Sequence, residues 1–286
     1  MTFSIVACDL KEKTWGIAVA SKFLAVGAVV PWAQAEVGAV ATQSFANTSF
    51  GPRGLEMMAL GLSAEETLAG LLHDDPEREL RQVGLVDKKG GSATYSGNGC
   101  FDWAGGVKGK GYAIQGNILA GAKVVVAMEK AFLKAQGDLP TRIYSALYAG
   151  DRVGGDKRGR QSAAIYVAKT KAGYGGFNDR WIDFRVDDHE DPMLKLGELI
   201  QLHQLYFGKS PASDRVALKG TTLKRIQQIL KNEGYLRGAL SGKFDEKTKK
   251  AFTEFIGNEN FEERSDASAG WVDRPVLKYL FKKFEK

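Results

Sequence analysis

The sequence predicts an α+β body, two antiparallel sheets packed face to face with helix pairs on their outer faces, followed by a small three-helix domain. Three observations carry this. Strand signals arrive in adjacent pairs that alternate with pairs of helical segments, an order that does not suit a parallel doubly wound sheet. The stretch Gly208-Lys-Ser-Pro-Ala-Ser213 has the composition of a linker. Beyond it, the apolar residues recur at helical spacing. The expected domains are residues 1–210 and 213–286.

Taken in order, Phe3 to Cys8 is a short apolar run. A polar turn at Asp9 to Lys13 follows, then Trp15-Gly-Ile-Ala-Val-Ala20, a strand–turn–strand signal. Glu36 to Gln43 reads as a buried strand rich in Val, Ala and Gly. Gly51-Pro52 opens a helix through Leu60. Ser63-Ala-Glu-Glu66 is a capping box ahead of a second helix carrying Leu68, Leu71 and Leu72. Arg81 to Asp87 and Ser92 to Ser96 read as strands joined by a Lys-Lys-Gly-Gly turn. The Gly-rich stretch 104–111 reads as a flexible hairpin loop, and Tyr112 to Gly116 as extended. Helices are predicted over 119–136 and 140–149, the second with Pro140 in its first turn. Strands Ser162 to Lys169 and Trp181 to Val186 and a helix from Pro192 to Phe207 complete the body. In the tail, Leu223, Ile226 and Leu230, then Phe252, Phe255 and Ile256, then Val276, Leu277, Leu280 and Phe281 mark three amphipathic helices around one small core.

The bulk numbers exclude several classes. Of 286 residues, 44% are apolar and 26% charged, a globular composition. Two cysteines, Cys8 and Cys100, make no disulfide framework, and three separated histidines show no ligand spacing, so neither a metal nor a cofactor is expected. The N-terminus lacks the features of a signal peptide, and no stretch approaches the roughly 18 apolar residues of a membrane span. A cytoplasmic protein is expected, with no membrane partner. From Ser213 onward there are 16 Lys and Arg against 11 Asp and Glu, so the tail holds most of the net charge of +6. That excess suits an anionic partner, and equally a solvated Lys-biased surface. Nucleic acid is not the expected partner. A homo-oligomer is.

No Gly-x-Ser-x-Gly elbow, Walker loop or His-Glu-x-x-His is present. What remains is the N-terminus. Removal of Met1 would leave Thr2 with a hydroxyl and a free amine on one residue, and an α-amine titrates near ~7.7–8.0, so it can serve as base with no histidine. Gln43, Asn47, Gln115 and Asn117 are uncharged hydrogen-bonding residues at strand ends, where pockets form between packed sheets. With Arg158 they form the expected substrate-binding set; a structural polar network uses the same residue types.

The strand pair Thr2-Phe-Ser-Ile-Val … Trp-Gly-Ile-Ala-Val-Ala-Ser-Lys, in this element order, resembles the N-terminal nucleophile (Ntn) hydrolases, proteasome-subunit-like αββα sandwiches. More closely, the body is similar to the DUF1028 family, through Val40-Ala-Thr-Gln43, Phe50-Gly-Pro52, Arg81-Gln-Val-Gly84, Gln115-Gly-Asn117, Ala149-Gly150, Gly154-Gly-Asp-Lys-Arg-Gly-Arg-Gln-Ser-Ala163 and Phe184-Arg-Val-Asp-Asp-His189. The resemblance implies hydrolysis of a small amide or peptide-like substrate. Thr2 would be the nucleophile, Lys22 the cation that tunes the base, and Asp156 and Ser162 the supports of the amine. One departure is that Ala20 stands where the acidic residue before Ser-Lys is expected. The alternative is a non-catalytic binding or assembly protein on the same fold.

The tail pattern Leu223-x-x-Ile-Gln-x-x-Leu-x-x-x-Gly-Tyr-x-x-Gly-x-x-x-Gly-x-Phe-Asp-x-x-Thr-x-x-Ala-Phe-x-x-Phe255 resembles the peptidoglycan-binding three-helix module. It implies an anionic glycan or peptidoglycan fragment as partner, contacted by Tyr235, Arg237, Lys243 and Trp271. Without an export signal, the expectation is that the module here binds something else or only packs on the body, with export by an unrecognised route as the alternative.

Overall fold

The computed structural model describes residues 2–285, which divide into two compact units, one up to Leu199 and one from Ile200. The first opens with β1 (Thr2–Asp9), β2 (Thr14–Ser21), β3 (Pro31–Gln34) and β4 (Gly38–Ser44). Helices α1 (Phe50–Ala59) and α2 (Ala64–His73) precede β5 (Arg81–Asp87), β6 (Ser92–Ser96), β7 (Gly105–Gly109) and β8 (Tyr112–Asn117). Then come α3 (Lys123–Lys134), α4 (Leu139–Arg152), β9 (Ser162–Lys169), β10 (Arg180–Val186) and α5 (Pro192–Phe207), which runs past Leu199.

The strands form two antiparallel sheets, one of six in the order β10-β9-β2-β1-β8-β7 and one of four in the order β3-β4-β5-β6. Alternation along β1 turns Val6 and Cys8 toward the second sheet, where they pack with Ala39, Ala41 and Val86. The small alanines let the sheets approach closely, and Gly84 closer still. A Cβ there would lie 2.1 Å from Gln115 Oε1. On the outer faces, α1 and α2 bury Phe50, Met58 and Leu71 against Val40, Val83 and Leu85, while α3 and α4 cover the six-stranded sheet. The helix starts follow the sequence. Ser63 and Glu66 close a capping box, and the Asp138 carboxylate accepts from Thr141 N–H at 3.1 Å.

Two strands were not foreseen. β3 is short and starts on a proline, so it offers too little alternation to read. β7, Gly-Gly-Val-Lys-Gly, has loop composition but pairs with β8 at the sheet edge, where glycine is tolerated.

The second unit holds β11 (Arg215–Ala217), α6 (Gly220–Asn232), α7 (Glu246–Asn258), β12 (Ser265–Asp266), β13 (Trp271–Asp273) and α8 (Arg274–Phe284). The three predicted helices share one core of Leu223, Ile226, Phe252, Phe255, Leu277 and Leu280. They are joined by a three-stranded antiparallel sheet, β11-β13-β12, absent from the sequence reading because strands of two or three residues carry no period. Among the described residues no helix is long and apolar enough to cross a membrane.

Candidate active site

Of the predicted residues, Thr2, Asn117 and Ser162 lie at one end of the six-stranded sheet. Thr2 stands opposite Asn117 of β8, and Ser21 opposite Ser162 of β9. The hydroxyls of Thr2 and Ser21 lie 3.1 Å apart. Directly opposed residues of antiparallel strands share a face, so this end of the sheet carries a row of small polar side chains. Thr2 is only 6% exposed. Met1 lies outside the described residues.

Behind Thr2 runs a buried network between the sheets. Gln43 Nε2 donates to Gln82 Oε1 at 2.8 Å and to the Thr2 carbonyl at 3.3 Å, while Gln43 Oε1 accepts from Ser4 Oγ at 2.7 Å. Asn117 Nδ2 donates to Gln82 Oε1 at 2.9 Å and to the Thr2 carbonyl at 3.5 Å. Gln115 Nε2 donates to Ser4 Oγ at 2.6 Å. Three of the residues expected to bind substrate, Gln43, Gln115 and Asn117, therefore engage one another and the β1 backbone. Gln82, the shared acceptor of Gln43 and Asn117, was missed, because one more amide inside an apolar strand gives no sign of its partners.

Asn47 stands apart. Its Nδ2 donates to Asp75 Oδ2 at 3.2 Å, beside the buried Asp75–Arg81 pair, in which Arg81 Nε reaches the same oxygen at 2.8 Å. The hydrogen bond from Arg81, against the opposing effect of burial, lowers the Asp75 carboxyl from 3.8 to about 2.

Asp156 and Ser162 hold backbone. Asp156 Oδ2 accepts from the Lys22 backbone N–H at 2.7 Å, and Oδ1 from the Arg158 N–H at 2.9 Å. Ser162 Oγ donates to the Phe23 carbonyl at 2.5 Å and accepts from Val26 N–H at 3.1 Å. Together they brace the segment that leaves β2. Lys22 lies just beyond this strand end. Strand β2 ends at Ser21, Lys22 is exposed in the turn beyond, and its backbone N–H meets Asp156. Strand alternation puts Ser21 beside Thr2 in its place. Arg158 is also exposed, with Nη2 3.4 Å from Asp156 Oδ2.

A cavity of about 320 Å³ opens at this strand end, walled by Ser21, Asp156, Ser162, Asp151, Arg160 and Glu190 together with Phe3, Ala20 and Met193. Asp151, Arg160 and Glu190 were not singled out in the sequence. Asp151 lies in the last turn of α4, and Arg160 Nε donates to its Oδ1 at 2.7 Å. The density of Asp and Arg over 151–160 was the available signal. Elsewhere, burial above all, with Asp87 and Asp9 nearby, pushes the Cys8 thiol up to about 12, which leaves it inert as a nucleophile.

In the second unit, Tyr235 packs edge-on against Phe255 and its hydroxyl accepts from Asn258 Nδ2 at 2.8 Å. Trp271 lies under the Arg215 guanidinium, 4.3 Å from it. Arg237 and Lys243 are exposed. A cavity of about 290 Å³ in this unit is lined instead by Lys224, Arg225, Gln228, Asn232 and Leu240, among others, so the four expected contacts do not share it.

Residues 206–280 match the family model described as "Putative peptidoglycan binding domain". No curated protein matches the chain. The crystal structure of a protein from Silicibacter pomeroyi, itself matched to DUF1028, is similar at a TM-score of 0.65 and 27% sequence identity, over 74% of this chain and 88% of that one. Residues 2–196 match the family of unknown function DUF1028, and the chain belongs to that family.

Proposed function

We propose that the body is an N-terminal nucleophile amidohydrolase with Thr2 as nucleophile and its own α-amine as base once Met1 is removed. The observation that carries the reading is the Thr2 hydroxyl, held 3.1 Å from Ser21 Oγ, where Ser21 in turn forms part of the cavity wall. Thr2 Oγ attacks the amide carbonyl carbon, and its proton passes to the α-amine. That proton then leaves with the departing amine as the C–N bond breaks, and water hydrolyses the ester to restore Thr2. Ser21 orients the hydroxyl, while Gln43 and Asn117 fix the Thr2 carbonyl. The match over 206–280 supports a tail that docks on a glycan or peptidoglycan fragment.

Intact-protein mass spectrometry before and after treatment with an acylating β-lactone tests this. The expected mass lacks Met1 and gains one acyl group, which the Thr2→Ala variant no longer takes up. Retention of Met1, or acylation indifferent to Thr2→Ala, overturns the reading. The exposure of Lys22 favours a second reading, a binding protein that retains the fold. Ligand uptake without acylation would identify it.

A further inference from the structure

We infer that the cavity beside Ser21 takes a small molecule bearing a protonated amine on a short apolar stem. The inference rests on the reading above and deepens it by naming the substrate class of the cavity that Ser21, the partner of Thr2, helps to wall. Its wall carries three carboxylates, Asp151, Asp156 and Glu190, against the single guanidinium of Arg160. Asp156 has both oxygens engaged, by Lys22 N–H and by Arg158. Asp151 does not. It is 5% exposed, and its Oδ1 holds Arg160. Its buried Oδ2 has no hydrogen-bond donor. Arg152 Nε stands 3.5 Å from that oxygen, in ion-pair range but without the geometry of a hydrogen bond. A buried carboxylate oxygen left without a donor is rare in folded proteins and calls for one.

Glu190 is exposed at the cavity and makes no hydrogen bond or ion pair among the described residues, so a second acceptor waits there. The carboxylates are spread round the wall. Among the described residues no three His, Cys, Asp or Glu side chains gather as a metal site. An organic cation fits better, because Phe3, Ala20, Pro192 and Met193 line the same space and would cover a short alkyl stem. The volume of about 320 Å³ suits a ligand of small-metabolite size.

Isothermal titration calorimetry on the full chain carrying Thr2→Ala tests this, with 6-aminohexanamide as probe and hexanamide and hexanoate as controls. The Thr2→Ala background keeps the amide intact, so binding is read whether or not Thr2 is a nucleophile. The expected result is saturable binding of the amine and roughly tenfold or weaker binding of hexanamide, the loss of one charge-assisted hydrogen bond. Asp151→Asn should weaken the amine by about as much and leave hexanamide unchanged. That variant also loosens Arg160, so Glu190→Gln, at an exposed side chain, provides the second arm and should weaken the amine severalfold. No heat from the amine, equal affinity for the two amides, tighter binding of hexanoate, or unchanged amine affinity in both variants overturns the inference. Failure of acylation at Thr2 with this pattern intact sinks the hydrolase reading alone.

Discussion

The Thr2 and Ser21 hydroxyls lie 3.1 Å apart at the end of the β1–β2 hairpin, each on a strand whose remaining inward residues are locked in the inter-sheet core. Rigid strands hold such a pair better than loops do. Thr2→Ala should therefore abolish acylation while shifting the melting temperature by no more than about 4 °C, the equivalent of roughly 1 kcal/mol or less. Ser21→Ala should slow acylation by roughly tenfold or more, because the hydroxyl loses its orienting partner. Time-resolved mass spectrometry and thermal melts on the same samples check both.

Gln82 is the node of the inter-sheet network. Its Oε1 accepts from Gln43 and Asn117, and its Nε2 donates to Ser96 Oγ and to the Gly116 carbonyl, each at 2.7 Å. Gln82→Leu removes all four of these hydrogen bonds at a buried position and leaves Gln43 Nε2 and Asn117 Nδ2 only their longer bonds to backbone carbonyls. It should cost at least about 3 kcal/mol, since each orphaned polar group costs ~1–3 kcal/mol. Urea denaturation measures it. A loss below about 1 kcal/mol would mean that water enters the network.

The sandwich was legible because period-two alternation and turn residues survive in sequence. β5, β6, β9 and α5 have the predicted bounds. Residues at the site were less so. Sequence places Gln43, Gln115 and Asn117 at strand ends, but only packing shows that they face one another across two sheets. Lys22 and Ser21 are neighbours in the chain, and a single step of strand register decides which meets Thr2. Asp151 and Arg160 were not singled out. Their pairing depends on the turn at 152–159, which has no period.

Asp75 makes the body sensitive to acid. Its carboxyl titrates at about 2 in the folded protein against an ordinary 3.8, chiefly through the hydrogen bond from Arg81. The folded value is the lower one, so the stabilisation is present above about pH 4 and is lost as pH falls toward 2. Its size is about 2 kcal/mol. Asp75→Asn should thus be destabilising at neutral pH, with the gap from wild type closing as pH approaches 2. Urea midpoints measured across that range check it. A gap that stays constant with pH would show that Asp75 acts by packing alone.

The last prediction concerns where the second unit begins. Sequence composition sets the division at 208–213, whereas the contacts divide the chain between Leu199 and Ile200. Arg264 gives the reason. It is 4% exposed, pairs with Asp273 Oδ2 at 2.7 Å, and donates from Nη1 to the Gln204 and Leu205 carbonyls at 2.9 and 2.8 Å. Its Nη2 donates to Ser210 Oγ at 2.8 Å. These bonds take up the Leu205 carbonyl at the end of α5 and share the Gln204 carbonyl with the Gly208 N–H, which donates to it at 3.0 Å. Next to them, Tyr206 stacks on Phe261 at 4.9 Å. A fragment starting at Ser213 lacks Gln204, Leu205, Tyr206 and Ser210, and leaves a buried guanidinium with Asp273 as its main partner. Losing part of such a network costs about 3–5 kcal/mol, a large share of what a unit this size can hold. The fragment from Ile200 should therefore melt cooperatively, and the fragment from Ser213 should not. Arg264→Lys in the longer fragment should be destabilising too, because an ammonium cannot span the carboxylate, the two carbonyls and the hydroxyl at once. Circular dichroism melts of the three proteins decide it. Equal melting of both fragments would return the boundary to the linker.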